Sequence, residues 1–189
     1  MTERRDLPPV GWGDVLRAAR LRRIRLRRRF AVAVAGIALI GITIAAPPLP
    51  RMVLNASASA PLGLYAVTPG AVLVRGDTVV AFAPSGARRL AAERHYLPIN
   101  VPMVKRVRAV PGDRICAIGR AILVEGRRVA ERRAHDAAGR PMPWWTGCMT
   151  LKNGAVLLLN DVPASFDGRY FGPTRVEDVI GTATPLWVR

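Results

Sequence analysis

Hydrophobic and polar positions fall into two regimes along the chain. From Phe30 to Pro50 the run FAVAVAGIALIGITIAAPPLP carries no charge, whereas beyond it apolar residues come in short stretches broken by Pro, Gly and charged side chains. An uncharged stretch of about 20 residues suits a bilayer-crossing helix. Here the first proline follows Ala46, which puts the span at the short end. The block RLRRIRLRRR (20–29) lies immediately before it, and a basic flank of this kind stays on the cytoplasmic side. The pattern predicts a basic cytoplasmic tail (1–29), a transmembrane anchor (30–50) and an exported domain (51–189). A cleaved signal peptide competes with the anchor. A basic region, an apolar core and the small-residue site Ala56-Ser57-Ala58 follow in order, and RRRF resembles part of a twin-arginine signal. The apolar run exceeds the usual core of a signal peptide, which favours the anchor; either way residues 51–189 are exported.

The exported part reads as mainly β. GLYAV, AVLV (71–74) and DTVVAF are short β-branched or aromatic runs punctuated by Pro69-Gly70 and Gly76. GARRLAAERHYL (86–97) is the one segment with helical spacing. VPMVKRVRAVPGDRICAI predicts two strands joined at Pro111-Gly112-Asp113, and RAILVEGRRVAE a hairpin around Glu125-Gly126. Residues 132–150, rich in Pro, Gly and Trp, predict a long irregular loop, after which AVLLLN and DVIGTATPLWV complete the strands.

Charge changes this picture less than its size suggests. The formal net charge is +16, but residues 1–29 hold ten arginines against Glu3, Asp6 and Asp14, and the remainder is spread thinly. No helix-turn-helix, zinc-finger or RNA-recognition pattern is present, and aromatics make up only 6%, so a nucleic-acid partner is not expected. Cys116 and Cys148 both lie in the exported part, where one disulfide or two buried free thiols are the alternatives. His95 and His135 stand apart from either cysteine, and no metal site or cofactor is expected.

One residue breaks the pattern. In MVKRVRAV (103–110) alternation puts Met103, Lys105, Val107 and Ala109 on one face, so Lys105 shares its side with apolar groups. An ammonium in an apolar setting loses solvation, and its pKa falls toward the working pH, which makes it a general base. A strand-end lysine that snorkels to solvent is the plainer alternative. Such a base needs a hydroxyl to activate, and NASASAPLGLY supplies Ser57 and Ser59 beside a turn stiffened by Pro61 and Gly63. Serine–lysine pairs work without histidine. A Ser-His-Asp triad drawing on His95 or on His135-Asp136 ranks below the pair, because both histidines sit in charged segments.

NASASAPLGLY, MVKRVRAVPGD and SFDGRYFGP, in this order after a membrane segment, resemble the conjugative-transfer signal peptidases of the TraF type, relatives of bacterial type I signal peptidase. The resemblance implies a coiled antiparallel β-sheet catalytic domain, with an apolar surface near the bilayer, on the periplasmic side of the bacterial inner membrane, held by a single-pass anchor. It implies Ser59 as nucleophile, Lys105 as base, and Ser57 as a hydroxyl assisting the Ser59 N–H in an oxyanion hole. By the same likeness Ser165 orients the lysine, and Asp167 with Arg169 forms a supporting ion pair. Gly168 departs from the D-S-R-Y form common in that family, which puts one supporting hydrogen bond in question. The implied activity is serine endoproteolysis of exported precursors, with a conjugative pilin precursor as partner and cyclisation as a possible outcome. A non-catalytic, membrane-anchored assembly protein of a secretion channel is the rival reading. Leu62, Leu64 and Met103 are candidate pocket residues.

Overall fold

The computed structural model describes residues 10–45 and 49–189 and divides into two compact units, Met1–Pro48 and Leu49–Arg189. In the first, α1 (Val10–Ala45) runs unbroken for 36 residues through the arginine block and the apolar segment up to Ala45. It is one helix long and apolar enough to cross a membrane. The last residues of the apolar run before Leu49, 46–48, lie outside the described residues, as does the start of the basic tail, 1–9.

The second unit is mainly β and antiparallel throughout. Its strands are β1 (Met52–Asn55), β2 (Gly63–Thr68), β3 (Thr78–Ala81), β4 (Met103–Ala109), β5 (Arg114–Ile118), β6 (Ala121–Val124), β7 (Arg127–Glu131), β8 (Gly147–Thr150), β9 (Ala155–Leu159), β10 (Thr174–Arg175) and β11 (Val179–Val188). The helices α2 (Ser85–Glu93) and α3 (Gly168–Phe171) complete it with one 3-10 turn. Seven strands form a sheet in the order β1-β2-β11-β3-β4-β9-β10, and four form a smaller one in the order β7-β6-β5-β8.

Alternation covers both faces of the large sheet. Tyr65, Val67, Val80, Val104, Ile180 and Ala183 pack on one side, and Val79, Ala81, Val107, Val156 and Leu158 on the other. A third cluster joins Ala109, Leu157 and Leu159 to Ile115, Ala117, Ile122 and Val124 of the small sheet. The tripeptide 111–113 therefore carries the chain from one sheet to the next, with Asp113 accepting from the Val110 N–H at 2.8 Å and pairing with Arg75.

Three expectations change. Residues 71–74 form no strand: the Val74 N–H is taken by the Asp77 carboxylate at 2.9 Å, and Val72 projects into solvent. The helix at 86–97 ends at Glu93, where His95 enters the left-handed region at φ 59°. The 132–150 stretch is irregular only as far as Trp145–Thr146; its end is β8, which pairs with β5 and sets Cys148 opposite Cys116. Those cysteines form a disulfide with Cα atoms 4.1 Å apart. Arg132, wholly buried, braces the irregular part: Nε and Nη2 donate to the Gly119 carbonyl, Nη1 to that of Trp145, and the guanidinium stacks 3.8 Å from the Trp144 ring centre.

Candidate active site

The serine loop lies between β1 and β2, and a single side chain shapes it. The Asn55 amide nitrogen donates to the carbonyls of Ser57, Ala60 and Pro61 at 3.0, 3.1 and 3.0 Å, while its oxygen accepts from the Ser57 N–H at 3.1 Å. Asn55 itself is buried, and these bonds satisfy its amide while gathering the loop around it. The Tyr65 hydroxyl adds a bond to the Pro61 carbonyl at 2.8 Å. Gly63 lets the loop re-enter the sheet: at φ 145° a Cβ there would stand 2.0 Å from the Trp187 carbonyl oxygen of β11. No side chain fits.

Alternation along β4 turns Lys105 into the body of the protein, where it is 2% exposed. Its Nζ donates to Ser165 Oγ at 2.6 Å and reaches Ser59 Oγ at 3.4 Å. Burial pulls the lysine pKa from its usual 10.5 down to about 8; Asp167 opposes that fall and Arg169 adds to it. Ser57 Oγ is 3.0 Å from Ser59 Oγ and accepts from the Ser59 N–H at 3.4 Å, so the two groups expected to face an oxyanion are turned toward each other.

Ser57, Ser59, Lys105 and Ser165 thus meet in one cluster. Asp167 and Arg169 stand behind it, both buried, with Nε–Oδ1 at 2.8 Å. Their contacts lead to Asn160 rather than to the lysine: Asp167 Oδ2 accepts from the Asn160 N–H, and Arg169 Nη2 donates to the Asn160 carbonyl. The Asn160 side chain in turn brackets Lys105, donating to the Val104 carbonyl at 3.0 Å and accepting from the Arg106 N–H at 3.2 Å. Asn55 and Asn160 are the positioning residues that sequence reasoning missed. The available signal was an asparagine directly preceding each serine-bearing loop, a residue type that bonds nearby backbone.

Gly168 finds its reason in packing. A Cβ there would come within 2.9 Å of both the Leu158 carbonyl oxygen and Leu157 Cδ1, so in this backbone a serine side chain has no room. Neither histidine joins the cluster. His135 lines a cavity beside it, but the neighbouring Asp136 carboxylate is engaged by Tyr96, Arg140 and Arg94. Cys116 and Cys148 sit in the small sheet and line neither of the cavities described next.

Two cavities flank the cluster, both touching Ala58, Ser59, Lys105 and Val162. One, of about 580 Å³, runs past Pro61, Leu62, Arg106, Asp161 and Val188. The other, of about 690 Å³, runs past Leu97, Val101, Met103, Met142 and Phe166. Leu62 and Met103 therefore line cavities as expected, and Leu64 does not. Spaces of this size hold several side chains of a peptide.

Comparison with known proteins yields consistent matches. The family described as "Signal peptidase, peptidase S26" matches residues 23–187. Plasmid transfer protein TraF of Escherichia coli is 35% identical over 144 residues, covering 70% of this chain and 80% of that protein. Conjugal transfer protein TraF of Agrobacterium fabrum is 31% identical over 164 residues, covering 82% and 92%. A crystal structure of a signal peptidase I from Enterococcus faecalis is 19% identical, covering 60% of this chain and 98% of that one, with a TM-score of 0.37.

Proposed function

From the premise that the chain belongs to the signal peptidase S26 family, among its TraF-type members, we propose that it is a membrane-anchored serine endopeptidase acting through Ser59 and Lys105. Residues 30–50 hold it in the bacterial inner membrane, the basic tail 1–29 stays in the cytoplasm, and 51–189 work in the periplasm. The TraF relatives are named for plasmid and conjugal transfer, which supports a role in conjugation with an exported pilin-like precursor as substrate.

The observation that carries the reading is a buried lysine whose amine lies between two serine hydroxyls with its pKa drawn down to about 8. At neutral pH roughly a tenth of such an amine is uncharged and able to accept a proton. Neutral Lys105 takes the Ser59 proton as Oγ attacks the scissile carbonyl. The carbonyl π bond becomes the oxyanion, stabilised by the Ser59 N–H and the Ser57 hydroxyl once both swing from each other toward it. Collapse breaks the C–N bond, and protonated Lys105 passes its proton to the leaving amine. Water then resolves the acyl-enzyme; an amine in its place gives a transpeptidation product, cyclic when the amine belongs to the same chain. Ser165 holds the amine toward Ser59, and Asn160, backed by Asp167 and Arg169, holds the strand that carries it.

The test is processing of an exported precursor by Ser59→Ala and Lys105→Ala beside the native chain. Loss in both, with unchanged membrane insertion, is expected. Full processing by both variants leaves the assembly-protein reading in its place.

A further inference from the structure

The larger cavity is apolar along most of its length, and besides Lys105, Tyr96 and Tyr170 the ionisable groups Arg133, His135 and Asp136 enter its lining from one segment. Asp136 is fully committed. Tyr96 donates to it, Arg140 Nε donates at 2.7 Å, Arg94 approaches to 3.8 Å, and the N–H groups of Ala138 and Arg140 complete its shell. This knot ties the segment after α2 to the segment after β7, so both walls of the cavity are fixed to each other. Tyr96 also packs against Phe166, ring centres 5.3 Å apart, directly beside Ser165.

Arg133 is placed by its neighbours and then left unengaged. Arg132 is buried in its cage of carbonyls, whereas the next residue, Arg133, is exposed. The Arg133 N–H donates to the Tyr170 hydroxyl at 3.2 Å, pinning its backbone, while its exposed guanidinium forms no ion pair among the described residues. A guanidinium carried on a segment braced by Arg132 on one side and by the Asp136 knot on the other is organised to meet a carboxylate.

We infer that Arg133 reads an acidic residue of the precursor segment seated in the larger cavity, so that precursors carrying Asp or Glu near the scissile bond are preferred. The inference rests on the peptidase reading of Ser59 and Lys105 and adds to it a charge requirement in the substrate. The knot and the buried Arg132 act only by fixing where the guanidinium stands.

The experiment uses full-length Ser59→Ala protein in detergent micelles, so that binding is read without turnover. The probes are short fluorescent alanine-rich peptides in which a single Glu, Ala or Lys is walked along the chain. At one position Glu is expected to bind about fivefold more tightly than Lys, as for a solvent-edged ion pair. That ranking should vanish in Arg133→Ala and reverse in Arg133→Glu. An unchanged ranking in both variants, or no charge preference at any position, overturns the inference. Cleavage of the same peptides by protein with Ser59 intact separates the two levels. Inverted binding without cleavage upholds Arg133 and counts against the peptidase, and cleavage without inversion refutes Arg133 alone.

Discussion

Replacing Ser165 by alanine separates two consequences of the bond that Lys105 makes to it at 2.6 Å. An ammonium donor contributes about 1.5–3 kcal/mol to such a bond and a neutral donor about 0.5–1.5. The difference, about 1 kcal/mol, favours the protonated amine and opposes the burial that has brought its pKa to about 8. Removing the acceptor therefore lowers the pKa further and moves the ascending limb of the pH–rate profile by about half to one pH unit toward acid. The second consequence runs the other way in rate. With Ser165 gone the amine keeps only the 3.4 Å contact to Ser59, and a loosened base lowers the plateau by about ten- to a hundredfold. The assay is kcat/KM for a precursor peptide across neutral to alkaline pH, native beside Ser165→Ala. The native rate should climb about tenfold from pH 7 to pH 9 as the amine is uncovered. An unmoved limb with an unchanged plateau would reduce Ser165 to a turn hydroxyl, and a limb displaced toward alkali would refute the account of the amine.

Lys105→Met should raise stability at neutral pH. The folded pKa of about 8 lies below the unfolded 10.5, so the unfolded chain binds more protons between those values and native stability rises with pH through that window. Below it the buried charge costs about 3 kcal/mol, which the methionine variant recovers while losing the pH dependence in denaturant titrations. Asn55→Asp turns a donor into a carboxylate facing three carbonyls and should cost about 3 kcal/mol or more, with loss of processing; unchanged melting with full activity would remove Asn55 from the site. Arg169→Met leaves Asp167 buried without its cation and should destabilise by about 3–5 kcal/mol in the same titrations, part of which Asp167→Asn restores. Cys148→Ser opens a link spanning 32 residues and should cost about 3–4 kcal/mol, read as an earlier denaturation midpoint.

Much of the site was legible because it rests on period-two alternation. That period alone turns Lys105 toward Met103 and Val107, and it holds in the folded strand. The serines of NASAS were visible as small hydroxyls next to a stiff turn. Asn55 and Asn160 were not, because their work is to gather carbonyls brought together by tertiary structure, which no local pattern records. AVLV misled for a related reason. Four apolar residues look like a buried strand, but the Asp77 carboxylate captures the Val74 N–H and ends any ladder there. The two-sheet division and the strand order were equally out of reach, since β2 and β11 pair across more than a hundred intervening positions.

That pairing has a consequence for timing. The hydroxyl-bearing loop leads into β2, the amine sits on β4 beside β3, and β11 fills the gap between β2 and β3. Until residues 179–188 slot into place, Ser59 and Lys105 ride on separate ribbons with no strand pairing to register one against the other. The contact between Ser59 and Lys105 is thus expected to form only once β11 has paired with both β2 and β3.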